Sequence, residues 1–102
     1  MVNNDIKKLA LKIGQKFKPQ KVIVFGSWAW GTPHQDSDVD FCVIKDTDNS
    51  QQEALNISRF LYPREYPLDI LVYTPDYVEK RLQMGDFFTK KIINEGLILY
   101  ER

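Results

Sequence analysis

Apolar residues near the start of the chain recur at helical spacing, with Ile6, Leu9, Ala10, Ile13 and Phe17 on one side and lysines between them. This pattern predicts an amphipathic helix that ends near Lys18 and Pro19 and needs a sheet to cover. The period then changes. Val22 to Phe25 is a short, wholly apolar, largely β-branched run that stops at Gly26, the mark of an interior strand covered on both faces. A polar loop from Gly31 to Ser37 leads into Asp38 to Ile44, whose alternation predicts a second strand with two acids at its start. DTDNS at 46–50 is turn chemistry, and Gln51 to Tyr62 has helical spacing, with Ala54, Ile57 and Leu61 on one side. Leu68 to Tyr73, between Pro67 and Pro75, predicts a third strand, with Asp69 set into it against propensity. Pro75 to Leu82 and Asp86 to Glu95 read as helices, Gly96 as a C-cap, and Leu97 to Tyr100 as a last strand.

This order of elements predicts an α/β fold in which helices pack against a small mixed β-sheet. At 102 residues the chain has the length of one domain, 1–102, and no linker, repeat or low-complexity stretch divides it. Hydrophobic residues at 43% and charged residues at 27% exclude disordered and collagen-like classes. Fourteen basic and fourteen acidic residues give a formal net charge of +0, which offers no overall attraction for a polyanion, so stable nucleic-acid binding is not expected. No stretch has membrane-spanning length, and the N-terminus lacks the apolar run of a signal peptide. With a single cysteine, Cys42, which reads as a small core residue, the expected location is the cytoplasm. Homo-oligomers remain compatible with this pattern.

Chemistry concentrates in a few polar positions. Asp38 and Asp40 lie two apart, so on a strand their carboxylates leave the same face with Cα atoms roughly 6 to 7 Å apart. Like charges this close repel by up to about 4 kcal/mol for groups 4 Å apart at an effective dielectric near 20, a cost that a divalent cation removes. Asp69 is expected to complete the set, because an acid in an otherwise apolar strand calls for a reason, and three carboxylates converge if its strand lies beside the second. Hard oxygen ligands suit Mg²⁺ or Mn²⁺, and two such ions about 3.5 to 4 Å apart hold the attacking and leaving oxygens of an in-line displacement. Gly26 and Ser27, directly after a strand, have the make-up of a phosphate-binding turn: glycine admits a close backbone approach and serine adds a hydroxyl. Trp28 and Trp30 read as packing aromatics and His34 as a solvated loop residue; Asp36 is assigned to the loop. Phe87 and Phe88, with Ile92 and Ile93, are expected to cover the sheet, an apolar patch for a partner being the other reading.

The segment VFGSWAWGTPHQDSDVDFCVI resembles the signature of the DNA polymerase β-like nucleotidyltransferases, in which Gly-Ser is followed by Asp-x-Asp and a later strand acid. Gly31, Ser37 and the closing INEGLILYER further resemble the minimal nucleotidyltransferases. The resemblance implies the nucleotidyltransferase core fold, ATP as substrate, two Mg²⁺ ions held by Asp38 and Asp40, and Asp69 completing one metal site and helping to activate the acceptor hydroxyl. It also implies a partner, a HEPN-domain toxin, and an antitoxin role in which AMP passes from ATP to a tyrosine hydroxyl of that toxin. Two other readings stand beside it. One is an antitoxin that neutralises its partner by binding alone; the other is an antibiotic-type small-molecule nucleotidyltransferase, disfavoured because such enzymes generally carry an additional acceptor domain. One departure is clear: many relatives have arginine where this chain has Trp30. Lys21, Lys45 or an arginine from a partner is expected to substitute, or triphosphate binding is weak.

Overall fold

The computed structural model describes residues 2–33 and 37–102. The readings of His34 and Asp36 lie outside the described residues. In chain order the elements are α1 (Asn4–Phe17), β1 (Lys21–Phe25), α2 (Ser27–Trp30), β2 (Val39–Ile44), α3 (Ser50–Phe60), β3 (Leu68–Tyr73), α4 (Pro75–Gln83), α5 (Phe87–Glu95) and β4 (Leu97–Glu101).

The strands form one mixed sheet in the order β3-β2-β1-β4. β1 runs antiparallel to both β2 and β4, and β2 runs parallel to β3. The two central strands are apolar on both faces because both faces are covered. On one side α1 and α3 bury Ile6, Ala10, Ile13, Ile57 and Leu61 against Val22, Val24, Val39, Phe41 and Val43. On the other, Val78 of α4 and Ile92 of α5 cover Ile23, Phe25, Cys42 and Ile44. Each fully buried Ile, Val or Phe side chain contributes roughly 1.5–3 kcal/mol, so the α1/α3 side, with the longer list, holds most of the core.

Local chemistry sets the helix ends. Asn3 caps α1 by accepting from the Ile6 N–H at 2.9 Å, and Asn49, Thr74 and Asp86 cap α3, α4 and α5 in the same way. α1 closes on Lys18 in the left-handed region, φ 51°, and not on a glycine. Gly96 is extended, and its lack of a Cβ serves a close approach: a side chain there would meet the Ile92 carbonyl and Ile23.

Ser27–Trp30, for which the sequence pattern predicts no element, is a short helix, because Gly26 turns the chain so that its carbonyl accepts from both Ala29 and Trp30 at 3.0 Å. Two expectations change. Asp69 is exposed, since β3 is an edge strand with little cover over its first residues; burial is therefore not what makes this acid unusual. The aromatic pair on α5 also divides from its neighbours: Ile92 is buried, whereas Phe87 and Phe88 are exposed.

Candidate functional site

The C-terminal end of β1 and the N-terminal ends of β2 and β3 meet at one end of the sheet. Asp40 is in register with Phe25 on one side and with Asp69 on the other. Paired residues on adjacent strands point the same way, and strand spacing puts the Asp40 and Asp69 Cα atoms roughly 4.8 Å apart. Both acids share the face of Cys42 and Leu71, the side covered by α4 and α5. Asp38 lies one residue before β2, and the Val39 N–H donates to the Pro67 carbonyl at 2.9 Å, tying this entry point to the chain leading into β3.

The electrostatics follow from that placement. Burial pushes the Asp40 carboxyl up from 3.8 to about 6, and the negative charges of Asp69 and Asp38 push in the same direction. Asp40 is the half-buried member of the trio, and Asp38 and Asp69 are its exposed neighbours. Among the described residues no group of three His, Cys, Asp or Glu side chains is placed to hold a metal ion. The donor set nevertheless has the right chemistry for a hard divalent ion: carboxylate oxygens on neighbouring strands, partly open to water and phosphate.

The Gly26–Ser27 turn lies against this cluster. Gly26 has φ 74° and ψ −150°, a conformation essentially confined to glycine, and a Cβ there would run into the Asp40 carboxylate oxygen. Glycine is thus required twice, by the backbone and by the approach of Asp40. Ser27 opens α2, whose first N–H groups have no carbonyl one turn earlier in the helix to receive them. The close return at Gly31 has a similar cause, since a Cβ there would lie 2.9 Å from the Ser27 Cα.

Both tryptophans pack, on opposite faces of the sheet. Trp28 meets Tyr66 edge-on at 5.9 Å and donates from Nε1 to the Ser37 carbonyl at 3.4 Å, fastening the residue before Asp38 to α2. Trp30 lies against Phe25 at 6.2 Å, and Phe25 meets Phe88 edge-on at 5.8 Å, so an aromatic wall stands beside the carboxylates. That wall escaped sequence reasoning; its one signal was Phe25 immediately before the glycine. Cys42 is fully buried, and desolvation pushes its thiol up to about 12, which makes it an inert core residue.

Lys21 and Lys45 do not lie near the turn. They flank the opposite end of β1 and β2, roughly 13 Å along the strand from Phe25, and each is engaged in an ion pair. Lys21 meets Glu101 at 3.6 Å and Lys45 meets Glu53 at 2.7 Å. Neither replaces an arginine at position 30.

A glycine–serine turn beside carboxylates at one end of a mixed α/β sheet has the residue types that phosphate-transfer chemistry uses. The nucleotidyltransferase domain family model matches residues 6–100, and the chain belongs to that family. The chain is also 26% identical over 91 residues to a candidate protein adenylyltransferase of Methanocaldococcus jannaschii, covering 89% of this chain and 88% of that one. In fold it is similar to the crystal structure of a candidate nucleotidyltransferase from Sulfolobus solfataricus. The TM-score is 0.59 and the identity 18%, over 95% of this chain and 78% of the other.

Proposed function

We propose that this nucleotidyltransferase is an Mg²⁺-dependent protein adenylyltransferase that moves AMP from ATP to a tyrosine hydroxyl of a HEPN-domain toxin, and so acts as its antitoxin. The observation that carries the reading is the in-register pairing of Asp40 with Asp69, with Asp38 two residues upstream and Gly26 packed on the Asp40 carboxylate. The similarity to a candidate protein adenylyltransferase supports a protein as acceptor.

In this reading Asp38 and Asp40 would hold two Mg²⁺ ions, with Mn²⁺ also suited, and Asp69 would complete one of the two sites. Such ions would supply positive charge to neutralise the triphosphate for displacement at the α-phosphorus. Gly26 and Ser27 seat the phosphates through backbone N–H groups and the serine hydroxyl. Asp69, exposed on the edge strand, faces the acceptor and takes the proton from its hydroxyl. The acceptor oxygen bonds to the α-phosphorus, the bond from that phosphorus to its bridging oxygen breaks, and pyrophosphate leaves with the electron pair.

Incubating the chain and a HEPN partner with radiolabelled ATP and Mg²⁺ tests this. Label on the partner is expected, with none when Asp38→Ala and Asp40→Ala are combined. Toxin neutralisation that survives the double substitution, with no label transferred by the parent chain, would replace catalysis with simple occlusion.

A further inference from the structure

Among the described basic side chains close to the carboxylate end of the sheet, Lys91 of α5 is distinctive. Its ammonium stands 4.7 Å from the centre of the Trp30 ring and makes no ion pair with a described residue. Lys21 and Lys45 are paired at the far end, and Arg81 is engaged by Asp86 at 3.1 Å. Trp30 in turn is fixed to the turn. Its N–H donates to the Gly26 carbonyl, one helical turn away, and its ring lies on Phe25, the register partner of Asp40. The sequence of contacts Asp40, Phe25, Trp30, Lys91 therefore runs from the carboxylates to a single half-buried ammonium.

We propose that Lys91 is the phosphate-binding cation of this site, held over Trp30 when free and drawn onto the β- and γ-phosphates of a nucleoside triphosphate seated at Gly26 and Ser27. The inference rests on the function proposed above and adds a residue to it. A ring face holds an ammonium weakly compared with a phosphate oxygen, so the contact parks the side chain without competing with the ligand. The four-carbon stem of lysine gives the reach that a planar, rigid guanidinium at position 30 would not need. Phe25, Trp30 and Phe88 line the approach with apolar surface, which thins the water around the ammonium and strengthens its pull on an anion.

Calorimetric titration of the whole chain with ATP, AMP and inorganic tripolyphosphate, each with Mg²⁺, tests the assignment. Lys91→Ala should weaken ATP and tripolyphosphate by about tenfold or more, the loss expected for a charge-assisted hydrogen bond, and leave AMP within about twofold. Lys91→Arg should restore most of the affinity. Lys90→Ala, the same change of charge one residue away at an exposed position, should bind like the parent chain. Equal affinity for ATP in the parent and in Lys91→Ala overturns the role of Lys91 alone, as does an equal loss in Lys90→Ala. A parent chain that binds neither ATP nor tripolyphosphate overturns this role together with the proposed function.

Discussion

Asp40 is the residue at which stability and chemistry oppose each other. Its carboxyl is raised to about 6 in the folded chain from an ordinary 3.8, first by burial and then by Asp69 and Asp38. A raised acid holds its proton more tightly when folded, so the metal-free chain is stabilised at low pH by this group, and that contribution disappears as pH rises through 6. Metal binding has the opposite slope, because the ligand must be ionised. Thermal unfolding with and without Mg²⁺ should therefore show a larger metal-induced rise in melting temperature at about pH 8 than at about pH 5. Asp40→Asn should raise the metal-free melting point at about pH 8 and abolish the response to Mg²⁺. Identical Mg²⁺ shifts at both pH values would count against Asp40 as a ligand. The pairing itself was legible in the sequence: two aspartates two apart share a strand face, and a third in another strand meets them if the strands are neighbours. The inequality among them was not, because the partial burial of Asp40 depends on Phe25 of β1 and on Gly26 beyond its end.

At the scale of elements, the long helices and the strands follow from their apolar patterns, whereas the N-caps Asn3, Asn49, Thr74 and Asp86 are seen only in the structure. α2 does not, because four residues are too few to show a period. The exposure of Asp69 was hidden for a related reason: an apolar run such as LDILVY looks the same in an interior strand and in a partly covered edge strand. The joint between α4 and α5 matters most for the proposed site, since α5 carries Phe88 and Lys91. Asp86 makes that joint by capping the Thr89 N–H at 3.2 Å, accepting from the buried Thr89 hydroxyl at 2.5 Å and meeting Arg81 at 3.1 Å. These bonds, to Thr89 first and then Arg81, hold its carboxyl below the usual range. Asp86→Ala should lower the melting temperature by several degrees, while Asp86→Asn, which still caps a helix, should recover most of the loss. If α5 presents Lys91 as inferred, Asp86→Ala should also weaken tripolyphosphate binding, whereas a cap with no bearing on the site would leave that affinity unchanged.

Across the whole molecule, the proposed site joins strands that differ in how well they are held. β1 and β2 are central, covered on both faces and hydrogen-bonded on both sides, whereas among the described residues β3 has β2 as its only strand neighbour and carries Asp69 in the open. Among the described residues no helix is long and apolar enough to cross a membrane. A ligand that engages Asp38, Asp40 and Asp69 together bridges β2 to the edge strand. It acts as a cross-link at their N-terminal ends, where opening of β3 would begin. Hydrogen exchange should show the consequence. With Mg²⁺ and a non-hydrolysable ATP analogue, amides of β3 should slow by about tenfold, because ligand bound to the closed state must leave before the strand opens. Amides of β4, on the far edge beyond β1, should change little. In Asp69→Asn the slowing of β3 should shrink while the β1 and β2 amides keep their protection, since residue 69 is exposed and its loss leaves the core intact. Slowing confined to β1 and α2, with β3 exchanging as before, would mean that nucleotide binds at the turn without recruiting Asp69. The edge strand would then have no part in holding the metal.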